Sequence, residues 1–174
     1  MLSRWYAVQT RSNCEQRVSV EITRKPALGV FLPCIQIVRR ELLVDVPLFR
    51  GYLFCQFADT ADQRVSVLSI SGVSRILGHG MEIEAIPDSE IEALRLLMSS
   101  PQPVHGDAGL TAGTRVRVKR GPLEGLEGVL IRVKKQHRLV IAIDLLRSGA
   151  STEVDVSDVE IIPVRRDARA AHAR

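Results

Sequence analysis

A stretch rich in proline, glycine and serine divides the sequence into two unlike parts. Residues 99–109 show neither the helical nor the strand period. Proline and glycine favour turns and flexible connections over regular elements. We therefore predict a flexible linker over residues 99–113, which separates an N-terminal domain, residues 1–98, from a C-terminal domain, residues 114–162.

Several segments of the N-terminal part have the composition of β-strands. Branched and aromatic side chains are frequent in residues 4–9, 42–46 and 52–57, and in an interrupted region over residues 30–38. Residues 39–41 predict the tip of a hairpin. Because helical patterns lie between these strands, we predict an α+β domain in which helices flank an antiparallel sheet.

The first predicted helix has both a start signal and an apolar face. Ser12 and Glu15 have the spacing of a capping box, in which the two side chains satisfy free backbone amides. Cys14, Val18 and Ile22 recur every four residues and predict one buried stripe. The N-caps of two further helices are predicted at Asp59 or Thr60, and at Asp88.

The C-terminal part has a different pattern, with short strands separated by turns. Five strands are predicted over residues 114–119, 128–133, 139–146, 152–156 and 159–162. So many strands in so short a segment predict a small closed barrel, which leaves no exposed sheet edge. Its many valines and isoleucines favour strand strongly, so we predict no helical form. Residues 163–174 are basic and alanine-rich, and are predicted to be a disordered tail.

The charge is unevenly distributed along the chain. The net charge is +4, and residues 1–58 hold eight Lys and Arg against four Asp and Glu. Residues 59–100 hold three against seven. A basic N-terminal segment suits a surface that faces phosphate groups, although an ordinary solvated surface explains the same net charge.

The sequence favours binding over catalysis. It contains no phosphate-binding loop, no His-Glu-x-x-His motif and no nucleophile-elbow motif. The three cysteines form no Cys-x-x-Cys pair and the histidines lack metal-ligand spacing, so we expect no catalytic residues, metal or cofactor. A cysteine-dependent enzyme is the weak alternative, with Cys55 as its nucleophile.

The sequence also lacks the features of a membrane or secreted protein. No run approaches the roughly 20 apolar residues that a membrane-spanning helix needs. The first residues do not have the basic-then-apolar layout of a secretion signal. We therefore expect a cytoplasmic monomer without a membrane partner.

Three of the chain's aromatic residues lie close together. Phe49, Tyr52 and Phe54 stand at the entrance of a predicted strand. Side chains alternate between the two faces of a strand, and positions 49 and 52 differ by an odd number. At least one of these rings is therefore expected to be exposed, unless a bulge intervenes. The alternative is that all three belong to the core.

These motifs, in this order, resemble a known family. Residues 5–9, 31–33, 47–54 and 72–75 are similar to the N-terminal domain of NusG proteins. Residues 116–129, with their spaced glycines, resemble the KOW motif of an SH3-like barrel. The resemblance extends over residues 4–162. It implies a non-enzymatic transcription elongation factor that binds bacterial RNA polymerase and promotes processive elongation or antitermination.

Within the family, two segments resemble the specialised paralogues RfaH, LoaP and UpxY more than housekeeping NusG. These segments are residues 47–49 and 119–128, and they imply an operon-specific regulator. Gln9, by contrast, resembles housekeeping NusG. The alternatives are therefore a housekeeping factor that couples polymerase to Rho and the ribosome, or a KOW protein that binds the ribosome or RNA.

The resemblance also implies three binding surfaces. Contacts with the clamp helices of the largest polymerase subunit, and with the opposite side of the cleft, are expected from Gln9, Phe49, Arg50, Tyr52, Phe54, Gln63, Arg64 and Val65. Contacts with the non-template DNA strand are expected from Arg11, Gln16 and Arg17. Contacts with ribosomal protein S10 or with Rho are expected from Leu126, Leu145 and Leu146, for which a core position is the alternative. The family usually has proline where Arg50 stands.

Overall fold

The computed structural model describes residues 2–79, 82–108, 113–133 and 136–162. In chain order, the strands are β1 Ser3–Thr10, β2 Gly29–Phe31, β3 Cys34–Arg39, β4 Leu42–Pro47, β5 Tyr52–Ala58, β6 Val73–Ile76, β7 Gly78–His79, β8 Glu82–Ile83, β9 Ala85–Ile86, β10 Val104–Ala108, β11 Thr114–Val118, β12 Glu127–Val133, β13 Gln136–Ile143, β14 Ser148–Glu153 and β15 Val159–Ile161. The helices are α1 Glu15–Thr23, α2 Ala61–Leu68 and α3 Asp88–Ser99. The predicted tail, residues 163–174, lies outside the described residues.

The N-terminal sheet has the order β2-β5-β1-β6, and β9 also pairs with β1. The central pair is antiparallel, with a register that runs from Ser3 opposite Ala58 to Gln9 opposite Tyr52. Because side chains alternate along a strand, β1 presents Trp5 and its alternate residues to one face and the intervening side chains to the other. The sheet can therefore bury both of its faces.

Helices cover both faces of this sheet, as an α+β arrangement predicts. On one face, α1 and α2 pack through Val18, Ile22 and Val67 against the side chains of β1 and β5. On the other face, α3 packs through Ile91, Leu94 and Leu97. The predicted stripe of α1 is confirmed at Val18 and Ile22, which are fully buried, whereas Cys14 is half-buried.

The predicted helix starts are only partly confirmed. Thr60 caps α2, because its hydroxyl accepts a hydrogen bond from the Gln63 amide at 3.3 Å. The capping box at Ser12 is wrong, because Cys14 occupies the N-cap of α1 and its side chain makes no capping hydrogen bond. The Glu15 side chain binds a distant loop instead of its own helix start. The cap at Asp88 is also wrong, because Pro87 occupies the N-cap and Asp88 lies in the first turn.

Strands β3 and β4 form a separate two-stranded hairpin beside the sheet. Arg40 and Glu41 both have positive φ, 47° and 67°. Two consecutive residues with positive φ form the tight turn that joins hairpin strands, so the predicted tip at residues 39–41 is confirmed.

The C-terminal part forms a six-stranded antiparallel sheet with the order β10-β14-β13-β12-β11-β15. The five predicted strands correspond to β11 through β15. Gly121 and Gly125 adopt φ of 94° and 83° in the loop before β12, which explains the spaced glycines of that loop. In the described residues β10 and β15 are the edges of this order, so closure into a barrel stays a prediction.

The predicted linker contains a strand, and a fully flexible linker is therefore wrong for part of its length. Residues 104–108 form β10, which pairs with β14 along its whole length. The side chain of Thr152 also donates a hydrogen bond to the Pro103 carbonyl at 2.9 Å. The segment lacks strand periodicity, but the edge of β14 offers unpaired backbone groups that β10 satisfies.

The two parts of the chain share one cluster of buried side chains. Its N-terminal members include Trp5, Leu48, Phe49, Phe54, Ile91, Leu94 and Leu97, and its C-terminal members include Val116, Val118, Leu126, Leu139 and Ile141. The C-terminal sheet therefore packs on the α3 side of the N-terminal sheet. No described helix is long and apolar enough to cross a membrane.

Candidate functional site

The turn between β4 and β5 carries the aromatic motif, and hydrogen bonds hold it on both sides. The amide of Leu48 donates to the Pro33 carbonyl and the amide of Tyr52 donates to the Phe49 carbonyl, at 2.8 and 3.1 Å. Gly51 donates to a carboxylate oxygen of Glu15 at 2.7 Å and accepts from the Thr10 amide at 2.8 Å. The turn is therefore fixed to the start of α1 and to the end of β1.

Glu15 supports this turn, whereas its spacing in the sequence predicted a helix cap. Its side chain is only 7% exposed, and it reaches across to the Gly51 amide instead of to its own helix. Gly51 has a φ of 81°, which a glycine adopts without strain. Glu15 therefore holds the aromatic turn in place through a charge-assisted hydrogen bond.

The expectation of an exposed aromatic ring is wrong for Phe49 and Phe54. These side chains are 4% and 0% exposed, and Tyr52 is half-buried. The Phe49 ring meets the Phe54 ring edge-on at 5.7 Å, and Phe54 stacks on Phe31 at 6.0 Å. The alternation rule did not apply, because Phe49 lies in the turn before β5 and not on the strand.

The C-terminal sheet packs against this turn. A Cβ atom on Gly106 of β10 would lie 3.1 Å from the Leu48 carbonyl oxygen, so the two backbones approach closely. Leu48 and Phe49 also belong to the buried cluster that both parts of the chain share. The predicted docking rings are therefore enclosed in this structure.

Beside the buried rings, the same end of the sheet has an exposed polar edge. Gln9 lies opposite Tyr52 on one side and opposite Arg75 on the other. The Arg75 side chain donates a hydrogen bond from Nε to Gln9 Oε1 at 2.8 Å. Arg50 is exposed on the adjoining turn. The structure thus brings predicted residues Gln9, Tyr52 and Arg50 together and adds Arg75, which the sequence pattern did not single out.

The predicted contacts on α2 lie elsewhere. Gln63 Oε1 accepts a hydrogen bond from the Ala58 amide at 2.8 Å, and Arg64 forms a bidentate pair with Asp59. The hydrogen bond from Arg64 lowers the pKa of Asp59. Val65 is exposed. Because α2 packs on the face opposite Phe49, the structure does not join these residues to the aromatic turn.

The three predicted nucleic-acid contacts are exposed and surround the start of α1. The Arg11 amide donates to the Gly72 carbonyl at 2.8 Å. The Arg17 guanidinium donates to the Ser71 carbonyl and to the Cys14 sulfur, each at 3.4 Å. Gln16 Nε2 donates to the Asp45 carbonyl at 3.4 Å. These contacts position the side chains and leave other donors free.

The three predicted leucines of the C-terminal part differ in accessibility. Leu126 is 5% exposed, so the alternative of a core position holds for it. Leu145 and Leu146, in a short 3-10 helix after β13, pack against the core but remain half-buried. Only the latter two present apolar surface in this arrangement.

The cysteine alternative has little chemical support. Cys55 is fully buried in β5, and burial raises the pKa of its thiol to about 12. A thiol of that pKa is almost entirely protonated near neutral pH, whereas the nucleophile is the thiolate. Among the described residues, no group of three or more His, Cys, Asp or Glu side chains could hold a metal ion.

Comparison with known proteins identifies the family. The family model described as "Transcription termination factor nusG" matches residues 3–95. The chain belongs to the NusG family. The transcription termination/antitermination protein NusG of Rickettsia typhi is 25% identical over 173 residues, which cover 91% of this chain and 90% of the relative. NusG of Borreliella burgdorferi is 22% identical and covers 91% of this chain and 98% of its own length.

A solved structure of a NusG-family member supports the overall arrangement. The structure described as "Domain interaction in Thermotoga maritima NusG" has a TM-score of 0.58 and 24% identity, and covers 92% of this chain and 98% of that one. At this identity the likeness concerns the fold alone. The NusG-type N-terminal fold is therefore established for this chain by the family match and by its own sheet and helices.

Proposed function

We propose that this protein is a transcription elongation factor that binds bacterial RNA polymerase and keeps it processive on particular operons. The observation that carries the proposal is the family match over residues 3–95, which contains the anchored aromatic turn. The relatives that match along nearly the whole chain are termination/antitermination proteins by name. Segments 47–49 and 119–128 support the operon-specific form over the housekeeping one.

The proposed docking site is the sheet end formed by Gln9, Phe49, Arg50, Tyr52 and Phe54, and its partner is the clamp helices of the largest polymerase subunit. Aromatic side chains in a well-packed patch supply much of the energy at protein interfaces. Phe49 and Phe54 are buried here, and Leu48 of the same turn lies against Gly106 of the C-terminal sheet, so we propose that this sheet moves away from the turn when the protein docks. Gln63, Arg64 and Val65 on α2 are proposed as a separate contact across the cleft.

Two further sets of contacts complete the proposal. Arg11, Gln16 and Arg17 face the non-template DNA strand, where guanidinium groups suit both phosphate contact and base stacking. Leu145 and Leu146, together with Leu126 once the sheet is released, provide the apolar surface for ribosomal protein S10 or Rho. We propose that the protein works as a cytoplasmic monomer and not as an enzyme.

The ion pairs of the C-terminal sheet disfavour the alternative of an RNA-binding KOW protein. Arg115 and Arg117 both pair with Glu127, and Arg120 pairs with Asp158. Arginines that are already neutralised by carboxylates contribute little to phosphate binding. These three arginines of the described part of this sheet are therefore less available to RNA.

Binding of the full-length chain to purified bacterial RNA polymerase tests the proposal. The informative variant is Arg50→Glu, because Arg50 is exposed and its replacement leaves the core intact. Arg24→Glu, an exposed change at the C-cap of α1 and away from the turn, is the matched control. We expect binding that Arg50→Glu weakens at least tenfold and Arg24→Glu leaves unchanged. Absence of binding by the unmodified chain under all conditions would refute the proposal.

A further inference from the structure

A groove with a volume of about 930 Å³ lies between helix α3 and the C-terminal sheet. Residues of α3 between positions 89 and 96 form one wall. The other side is formed by residues of β11, β12 and β13 and by the loop before β12. Because these walls belong to both parts of the chain, a segment bound in the groove contacts both parts at once.

Acidic and apolar side chains line this groove. Its lining contains one guanidinium group, that of Arg115, against four carboxylates, which belong to Glu90, Glu92, Glu124 and Glu127. The apolar side chains of Ala93, Leu96 and Val129 are only partly buried. A ligand that matches this lining carries several positive charges and small apolar groups.

Neighbouring arginines neutralise only part of the negative charge. Arg117 donates two hydrogen bonds to Glu127, at 3.0 and 2.5 Å. Arg95 approaches Glu92 at 3.6 Å, but its guanidinium stands over two aromatic rings of the N-terminal sheet. Glu124 is exposed and forms no ion pair within the described residues. The groove therefore keeps carboxylates that a cationic ligand can pair with.

The last described residue, Ile162, lies at the border of this groove. Its amide donates to the Arg115 carbonyl at 3.1 Å, as a continuation of the pairing between β15 and β11. Arg115 lies opposite Val129, and Val129 lies opposite Val140, so Ile162 is in line with three residues of the lining. Neighbouring strands are about 4.8 Å apart, and the chain therefore continues from a point about one strand spacing from Arg115.

The segment that follows Ile162 has the complementary composition. Residues 163–174, which lie outside the described residues, contain four arginines, four alanines and a single aspartate. Six extended residues span about 20 Å, whereas three neighbouring strands extend across about 10 Å. Half of this segment is therefore long enough to cross the sheet side of the groove.

We propose that residues 163–174 bind in the groove between α3 and the C-terminal sheet. Their arginines pair with Glu124 and Glu92, and their alanines pack against the partly buried apolar side chains. Each exposed ion pair is weak alone, but the covalent connection at Ile162 keeps the segment at a high effective concentration beside the groove.

The bound segment favours the closed arrangement, in which the C-terminal sheet packs against the aromatic turn. It does so because α3 belongs to the N-terminal part and the strands of the groove belong to the C-terminal part. This role goes beyond the proposed function, since none of the proposed polymerase, nucleic-acid or ribosomal contacts uses residues 163–174.

Paramagnetic relaxation in NMR spectra of the full-length chain tests the proposal. A nitroxide is attached through Ala170→Cys, after Cys14→Ser and Cys34→Ser have removed the two partly exposed thiols. The third thiol, on Cys55, is fully buried. The nitroxide weakens the amide signals of residues that lie near it, so the spectrum reports where the segment binds.

We expect a strong loss of amide signal intensity at Ala93, Glu124 and Val129 in 0.1 M salt, where the screening length is about 10 Å. The intensity should return in 1 M salt, where this length is about 3 Å. No intensity loss at these residues in 0.1 M salt, or a loss that 1 M salt leaves unchanged, would overturn the proposal.

Charge-reversal variants identify the carboxylates that hold the segment. The double variant Glu92→Lys, Glu124→Lys should abolish the intensity loss at Val129. Glu41→Lys is the matched control, because it reverses an exposed carboxylate at the tip of the β3–β4 hairpin, and it should leave the loss unchanged. Circular dichroism melts establish that each variant is folded. An intensity loss that persists in the folded double variant contradicts the proposed pairing.

Two other binding arrangements give different spectra. A second cavity is lined by Asp155, Val156 and Asp158, and an intensity loss centred on these residues would place the segment there instead. A mixture of isotope-labelled chains without nitroxide and unlabelled chains with nitroxide reports binding between copies. The same loss in this mixture would overturn binding within one chain. Since polymerase is absent from these samples, their outcome is distinguishable from failure of polymerase binding, which tests the proposed function.

Discussion

Replacement of Gly106 by leucine should open the contact between the C-terminal sheet and the aromatic turn. Even a Cβ atom at this position would lie 3.1 Å from the Leu48 carbonyl oxygen and 3.5 Å from Leu48 Cδ1. A leucine side chain adds further atoms in the same direction. Gly106 lies in the edge strand β10, where leucine is compatible with strand geometry, so the change should act on the contact and not on the sheet.

The expected size follows from the cost of overpacking. Extra methylene groups in a well-packed contact cost about 1–3 kcal/mol. Gly106 itself is exposed, so the leucine can turn part of its side chain to solvent, and the cost should lie near the lower limit, about 1 kcal/mol. If that cost falls only on the closed arrangement, in which the C-terminal sheet lies against the turn, the ratio of open to closed molecules rises about 5-fold. Apparent affinity for polymerase should rise by the same factor as long as the closed arrangement predominates, because the proposed docking residue Phe49 is buried in it.

Binding of the full-length Gly106→Leu variant to purified polymerase measures this effect. His105→Leu is the matched control, since it introduces the same side chain one residue earlier in β10, on the opposite face of the strand. Two-dimensional NMR spectra show whether the C-terminal sheet stays folded in both variants. Unchanged polymerase affinity in a folded Gly106→Leu variant would refute the idea that this contact controls access to the docking site.

Other predictions concern the supports of the site. Glu15→Ala should lower the free energy of unfolding by about 1–3 kcal/mol, because it leaves the Gly51 amide without its partner. Thermal melts measure this loss, and a loss equal to that of Glu21→Ala, which removes a surface ion pair with Arg24 on the same helix, would contradict the prediction. Phe54→Ala should lower the free energy of unfolding by about 3–5 kcal/mol, since the ring is fully buried. Urea titration measures this loss, and a loss below about 1 kcal/mol would show that the ring does not support the core. The free energy of unfolding should fall as pH rises from about 9 towards 12, because the thiol of Cys55 ionises in the unfolded chain before it ionises in the folded one, where its pKa is about 12. Measured relative to pH 7, this fall should be smaller in Cys55→Ala, and an unchanged profile would count against the raised pKa.

Local patterns predicted much of the secondary structure correctly. The strands β1 and β5, the hairpin tip at residues 39–41 and the apolar stripe of α1 all follow from side-chain spacing and composition. These signals are local, because strand and helix periods depend on neighbours in the chain. The NusG resemblance was confirmed for the same reason, since its motifs are short runs in a fixed order.

Several of the failures involve partners that are distant in sequence. Glu15 has the spacing of a capping residue, yet it binds Gly51, because the fold places that amide beside the start of α1. The segment at residues 104–108 lacks strand periodicity and became a strand because the edge of β14 was available to it. Arg75 lies in the family motif of residues 72–75, but that motif did not predict its contact, since its position beside Gln9 depends on the pairing of β1 with β6.

The sequence by itself therefore determined most of the elements of this protein and its membership of the NusG family. Only the tertiary structure decided that Phe49 and Phe54 are buried, that Glu15 anchors their turn, and that Arg75 lies beside Gln9. The physical reason is that strand and helix formation depends on residues close in the chain. Burial and side-chain pairing depend on which strand ends and sheet faces come together in space.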